Sequence, residues 1–173
     1  TVYFSETIII FTSNLGIYGI DSNGERTLRV TPQMPYEEVQ KSVRKGIEEY
    51  FKLQLGRPEI LNRIGENIVV FDFIREDVAD EILKAQVNKI IANLQSEKKI
   101  SLSLSDAAME TLRTKAVANL DNGGRGIGNI VESLLINPLS RYLFDNEIFK
   151  DRTVAIDEIN AEVQPYSLNC TVL

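Results

Sequence analysis

The chain has 173 residues, 43% hydrophobic and 25% charged, with 19 basic against 25 acidic side chains and a net charge of −6. That length holds one large domain or two small ones around a substantial core, and the acidic balance argues against a general nucleic-acid binder. Histidine is absent and cysteine occurs once, at Cys170, which excludes imidazole catalysis, histidine metal sites, an internal disulfide and a thiolate cluster.

In chain order, Thr7-Ile8-Ile9-Ile10-Phe11-Thr12 is a β-branched run with both faces apolar, the pattern of a central parallel strand. It ends in Ser13-Asn14, where polar side chains emerge at a strand's C-terminal end, the edge at which open α/β sheets bind ligands. Residues 15–35 carry Gly16, Gly19, Gly24, Pro32 and Pro35 and read as a long loop with a short hairpin around Asn23-Gly24. An amphipathic helix is expected over 36–51, with Tyr36, Val39, Val43, Ile47, Tyr50 and Phe51 on one side and Gly46 weakening it. Residues 68–74 read as a second buried strand. A helix over 75–97 follows, its inner stripe marked by Val78, Ile82, Val87, Ile90, Ile91 and Leu94, its acidic start favoured by the helix dipole.

Residues 100–104 alternate apolar residues with serine, as a half-buried strand does, and Ser105 is the expected N-cap of a helix to about Leu120. A helix from about Arg125 to Phe144 carries Ile127, Ile130, Val131, Leu134, Leu135, Leu139 and Leu143 inside, with a kink expected at Pro138. Residues 152–156 and 163–172 close the chain as a strand hairpin, with Cys170 a small apolar residue on the last strand. Charge divides near residue 75: 9 basic and 10 acidic residues up to it, 10 and 15 beyond.

No apolar run approaches the ~18 residues that span a membrane. The start lacks a signal peptide's basic and apolar regions and an initiator methionine, as expected of a fragment or processed chain. Low cysteine use fits a reducing cytoplasm.

Three short motifs carry chemistry. Arg57-Pro58-Glu59-Ile60-Leu61-Asn62-Arg63-Ile64 places two arginines around a stiffening proline; a guanidinium is always charged and its planar fork suits phosphate oxygens. A solvated surface charge is the commoner fate of an arginine, but the fixed approach through Pro58 argues for positioning at Arg63. Asn14 serves either as a turn former or as an amide near a terminal phosphate or attacking water. Arg125, after Gly123-Gly124, would sit poorly at a helix N-terminus unless a phosphate offsets it. No Gly-x-x-x-x-Gly-Lys-Ser/Thr loop is present, and no apolar strand ends in paired carboxylates for magnesium.

These segments in this order resemble the C-terminal part of a Clp-type AAA+ ATPase, the unfoldase and disaggregase class, and most of all the second ATPase module of its ClpB, ClpA and ClpC members. Thr1-Val2-Tyr3-Phe4 through Leu15-Gly16 resembles the sensor-1 strand, Arg57 to Ile64 the arginine-finger segment, and Gly123-Gly124-Arg125 with Ile136-Asn137-Pro138-Leu139 the sensor-2 helix. The resemblance implies an α/β fold. Residues 1–75 would be the end of the large subdomain, an incomplete parallel sheet of the phosphate-loop type. Residues 76–173 would be an α+β small, or lid, domain with about three helices and a small sheet. It implies Asn14 as sensor 1, Arg63 as an arginine finger acting on a neighbouring subunit's γ-phosphate, and Arg125 as sensor 2.

ATP and Mg²⁺ would serve the parent protein, with neither expected tightly bound to this piece, which is expected not to hydrolyse ATP alone. The implied partners are further copies in a hexamer and unfolded or aggregated proteins, in the cytoplasm, without membrane or nucleic acid. Tyr18-Gly19-Ile20 is too vague an echo of the protease-docking loop to support a protease partner, and Gly-Gly-Arg stands where the family has Gly-Ala-Arg. The alternative is a non-catalytic assembly module derived from the same family. The strand between the two N-terminal runs would lie upstream, so residues up to 75 are expected to pair with another copy, contact each other, or take a strained arrangement. The small domain should close its own core.

Overall fold

The computed structural model describes residues 7–21, 23–120 and 123–172. The first six residues of the sensor-1-like segment therefore lie outside the described residues. The chain forms two compact units, Thr1–Phe73 and Ile74–Leu173.

In the first unit, β1 (Tyr18–Ile20) and β2 (Arg26–Leu28) form an antiparallel hairpin. Its turn is closed by Asp21, whose carboxylate accepts from the amides of Asn23 and Glu25 at 2.9 and 2.8 Å, with Gly24 at φ +83°. Asx side chains stabilise turns in this way. Helix α1 (Tyr36–Glu49) follows, widens into a π-helical turn over Tyr50–Gln54, and leads to the short α2 (Pro58–Ile64). Val39 and Val43 of α1 bury against Val30 and Val70, flanked by Ile17, Met34, Ile47, Ile68 and Phe73. Arg29 donates to the Tyr18 carbonyl at 3.1 Å and pairs with Glu49, tying the hairpin to α1.

The two N-terminal strands expected from sequence do not form. Residues 7–14 and 67–75 carry no regular structure, and the side chains expected to be buried stand in solvent: Ile8 is 91% exposed, Ile10 82%, Phe11 88% and Phe71 84%. A strand apolar on both faces needs a ladder neighbour on each side, and no strand flanks either run among the described residues. Val70 alone is buried. That stretch is held to α1 by polar ties, the Tyr36 hydroxyl donating to the Val70 carbonyl at 2.9 Å and Arg44 to the Ile68 carbonyl at 2.8 Å. The parallel sheet implied by the resemblance is thus absent from the described residues, while the mixed α/β character holds.

Gly46, a weakness by helix propensity, has a packing reason. A Cβ there would stand 2.8 Å from the Gly16 Cα and 2.9 Å from its carbonyl oxygen, and Gly16 itself has φ +88°. Backbone cannot turn aside as a side chain can. Gly46→Ala is therefore expected to destabilise the first unit by about 1–3 kcal/mol through overpacking, against the ~1 kcal/mol that propensity alone would gain. Gly128→Ala, where a Cβ meets nothing within 4 Å, is expected to be neutral or stabilising. Urea midpoints of the two variants should move in opposite directions.

The second unit begins with α3 (Glu76–Lys98), then β3 (Ser101–Leu104), α4 (Asp106–Val117), α5 (Gly123–Val131), a π-helical turn over Glu132–Ile136, α6 (Asn137–Asp145), β4 (Thr153–Asn160) and β5 (Ser167–Val172). The sheet order is β3-β4-β5: β3 pairs parallel with β4 through the helical crossover, and β4 pairs antiparallel with β5. Ser105 caps α4 as its sequence predicts, its hydroxyl accepting from the Ala108 amide at 3.1 Å and donating to the Asp157 carbonyl at 2.5 Å. The closing hairpin forms too, with β5 starting at Ser167 rather than Val163.

Leu83, Ile100, Leu112, Ile127, Leu135 and Ile156 are fully buried in one core. On α3 the deepest residues are Ala79, Leu83 and Val87; Ile82, Ile90, Ile91 and Leu94 pack partly against the core, and Val78 points outward at 42% exposure. The expected break at Pro138 is a widened turn. Proline lacks an N–H and its ring crowds the carbonyl four residues back. The π-helical turn absorbs both, with the Asn137 amide bonding five residues back to the Glu132 carbonyl.

Candidate functional site

Asn14 ends the irregular run 7–14, exposed, its carbonyl accepting from the Ile17 amide at 3.5 Å. Its side-chain amide makes no hydrogen bond among the described residues. The backbone at Gly16, with φ +88°, turns the chain shortly after it, so Asn14 stands where a turn begins.

Arg63 lies in the last turn of α2, a helix fixed at both ends. Pro58 occupies its first turn, where a missing N–H costs nothing. The Gly65 amide closes the other end on the Leu61 carbonyl at 2.9 Å, and the Asn67 side chain donates to the Ile64 carbonyl at 3.0 Å. The two arginines of the segment differ in a way their spacing does not show. Arg57 precedes the helix and pairs with Glu59 at 3.4 Å. Arg63 is exposed and has no ion pair among the described residues. A cation near a helix C-terminus also interacts well with the dipole, which accounts for its position without a ligand.

Arg125 is the third residue of α5 in the second unit, exposed, with no acidic residue in that first turn and no ion pair among the described residues. Gly123 has φ +58°, and Cβ atoms at Gly123 and Gly124 would lie 3.9 and 3.5 Å from Ile74 Cδ1. The glycines thus let the helix start lie close over Ile74. Asn14 and Arg63 share the first unit without a hydrogen bond between them; Arg125 belongs to the other unit. Sequence reasoning missed Tyr36 and Arg44, whose donors hold the 68–70 stretch. Their signal was an aromatic hydroxyl and a guanidinium eight residues apart on α1.

Among the described residues no group of three or more His, Cys, Asp or Glu side chains gathers as a metal site would. No described helix is long and apolar enough to cross a membrane. In the second unit a groove of about 250 Å³ opens between α3 and α6, lined by Ile90, Leu94, Leu139, Leu143, Phe144 and Phe149 among others; Arg125, the candidate residue of this unit, does not line it.

Cys170 lies partly buried on β5, its carbonyl accepting from the Tyr142 hydroxyl at 3.3 Å. Burial first, and the charge of Asp157 second, push its thiol up to about 11; Tyr142 is raised by burial, then by Cys170 and Asp157. A raised thiol pKa leaves little thiolate, the reactive form. At pH 8 the Cys170 thiolate fraction is expected to lie roughly 100-fold below that of a thiol titrating near 9, so its alkylation should be slow there and accelerate about tenfold per pH unit up to about pH 11, as a pH series with iodoacetamide would show.

A three-stranded sheet covered by α3 to α6 makes the second unit an α+β small domain, preceded by a unit that carries an unpaired arginine on a short helix. Residues 74–156 match the family model described as the C-terminal, D2-small domain, of ClpB protein. Over 162 residues, 94% of this chain, it is 30% identical to Chaperone protein ClpB 1 of Synechocystis sp., covering 16% of that protein. It is 29% identical over 157 residues, 91% of the chain, to Chaperone protein ClpB of Gloeobacter violaceus, covering 16% of it. It is 29% identical over 162 residues, 93% of the chain, to the ATP-dependent Clp protease ATP-binding subunit ClpC of Staphylococcus saprophyticus, covering 19% of it. The chain belongs to the Clp-type AAA+ family, as a C-terminal part, and spans less than a fifth of the length of these relatives.

Proposed function

We propose that the chain is the sensor, finger and lid portion of an ATP-driven protein unfoldase or disaggregase that works as a hexameric ring in the cytoplasm. The observation that carries this reading is collinear identity to ClpB chaperones across 94% of the chain, so that it includes the segment 57–64 as well as the small domain. Arg63 would reach the γ-phosphate bound by the neighbouring subunit and stabilise charge that develops in the transition state. Its fixed helix and its guanidinium, which has no ion pair among the described residues, support that role. Asn14 would orient the attacking water. Arg125 would touch phosphate from the lid of its own subunit and couple nucleotide state to lid rotation, a hinge-type switch. ATP and Mg²⁺ would be held mainly by parts of the protein outside these residues, and unfolded or aggregated proteins would be the substrates. The test is ATP turnover by the full-length protein with and without the Arg63 guanidinium, read beside nucleotide affinity. Turnover unchanged by its loss would remove the finger role.

A further inference from the structure

Helix α5 opens with Gly123-Gly124-Arg125-Gly126, a turn in which only Arg125 carries a side chain. Arg125 is exposed, and Gly126 is buried but brings nothing beyond its backbone. The turn therefore puts no apolar side chain of its own into the core; the core contacts of α5 begin at Ile127 and continue at Val131. A helix of 9 residues is held by packing of an apolar face, because propensity alone is too weak at that length, and the turn 123–126 has neither. Each glycine within a helix lowers the helix–coil equilibrium about fivefold relative to alanine. The fold does not demand that loss at Gly124. Its φ lies outside the left-handed region that Gly123 occupies at +58°, and a Cβ there would stand 3.5 Å from Ile74 Cδ1, an ordinary contact. The charge is unfavourable too: a cation at a helix N-terminus opposes the dipole, and no acidic residue stands in the first turn. This deficit lies in the turn's own residues and is the same whichever surfaces of the unit are covered.

We propose that the turn 123–126 is an order–disorder switch, open without an anion and closed as helix when the Arg125 guanidinium engages a phosphate group of a nucleoside triphosphate. The closing half rests on the reading of Arg125 as a phosphate contact; the opening half concerns the chain alone. A ligand shifts an equilibrium only through a difference in its contacts with the two forms. Here the difference is that only the closed form sets the guanidinium beside the unpaired amides of a helix start, and that the anion offsets the penalty of a cation against the dipole. Ile127 stays seated in both forms, so opening breaks the hydrogen bonds of one turn and exposes little apolar surface, the profile of a low-energy local opening. Apparent affinity for the phosphate is lowered by the fraction of molecules closed. Gly124 is then a positioning residue: it acts through Arg125, by setting how often the turn that carries Arg125 is helical.

The test is amide hydrogen exchange of the 173-residue chain, read at residues 127–129, whose helical acceptors are the carbonyls of residues 123–125. These amides are expected to exchange at least about 100-fold faster than those of Leu112 and Ala116, buried on α4. Gly124→Ala should slow them about fivefold. Arg125→Glu should slow them as well, because it replaces a charge the dipole opposes with one it favours. In the full-length protein Gly124→Ala should tighten nucleotide binding by up to about fivefold, and should change nothing in an Arg125→Ala background. Wild-type amides at 127–129 as protected as those of α4 would overturn the switch, as would exchange unmoved by Gly124→Ala. Affinity blind to Gly124→Ala but weakened by Arg125→Ala would overturn the coupling to phosphate. Affinity blind to Arg125→Ala would overturn the closing half together with the phosphate reading beneath it.

Discussion

Arg63→Ala in the full-length protein is expected to lower ATP turnover by about 10³–10⁵-fold, the contribution an arginine finger makes to phosphoryl transfer. On the proposed finger role, nucleotide affinity should change by less than about tenfold, because the guanidinium would act on charge that develops only in the transition state and not on the ground-state nucleotide. Arg63→Lys should recover little, since an ammonium lacks the planar fork that spans two phosphate oxygens. Arg57→Ala is the internal control. Arg57 is engaged with Glu59 at 3.4 Å on an exposed surface, so its loss should leave turnover within a few-fold of wild type. The in-trans prediction is sharper still: mixing Arg63→Ala subunits into wild-type rings should silence wild-type sites beside them. Turnover that falls only in proportion to the mutant fraction with no effect on neighbours would place the finger in its own subunit's site. Equal losses from Arg57→Ala and Arg63→Ala would reduce the segment to a structural role.

The fold was legible where local pattern and tertiary partner agree. Ser105 announced its cap because a hydroxyl before a helix has one local use, and Ala108 lies at the spacing that uses it. Strands β3 to β5 were legible because alternation against one buried face is a pattern a single strand carries by itself. Residues 8–12 show the reverse. Their β-branched, two-sided apolar pattern is that of a buried strand, but a strand exists only through its ladder partners, and the described residues supply none. On α3 the stripe from Ile82 to Leu94 faces the core as its spacing predicts, and only its first member, Val78, is exposed, while Ala79 and Leu83, outside the apolar count, lie deepest with Val87. Alanine carries little weight in a hydrophobic count, yet it lets another helix approach closely.

The candidate residues could be named from the sequence, but their surroundings could not. Arginine beside a proline near a second buried run is readable from spacing. That Arg57 is neutralised and Arg63 is left unpaired depends on where Glu59 points, which spacing does not decide. Gly46 likewise read as a weak helix residue, because its reason, the backbone of Gly16, lies thirty residues away in sequence. Arg125 was placed at a helix start, and there it is, with a first turn that holds no carboxylate.

Leu135→Ala is expected to destabilise the second unit by about 3–5 kcal/mol. Leu135 is fully buried and sits inside the π-helical turn Glu132–Ile136, one of the fully buried large side chains of the core that also holds Ile127, Leu112 and Ile156. The site has little room to collapse, because the turn that carries it is already widened to accommodate buried Pro138, and a cavity that cannot close costs most. For a unit of this size each kcal/mol lowers the melting temperature by about 4–8 °C, so a fall of well over 10 °C is expected by calorimetry. Glu132→Ala, in the same turn and exposed, should shift it by no more than a few degrees. Because Arg125 and Leu135 lie on one continuous helical run from Gly123 to Asp145, the two variants also separate position from presence. Arg125→Ala should leave the melting temperature unchanged and alter only nucleotide response in the full-length protein, whereas Leu135→Ala should lower both together. A Leu135→Ala chain that melts as wild type would mean the helix slides within the wide turn to fill the cavity, and would place a hinge between Arg125 and Pro138.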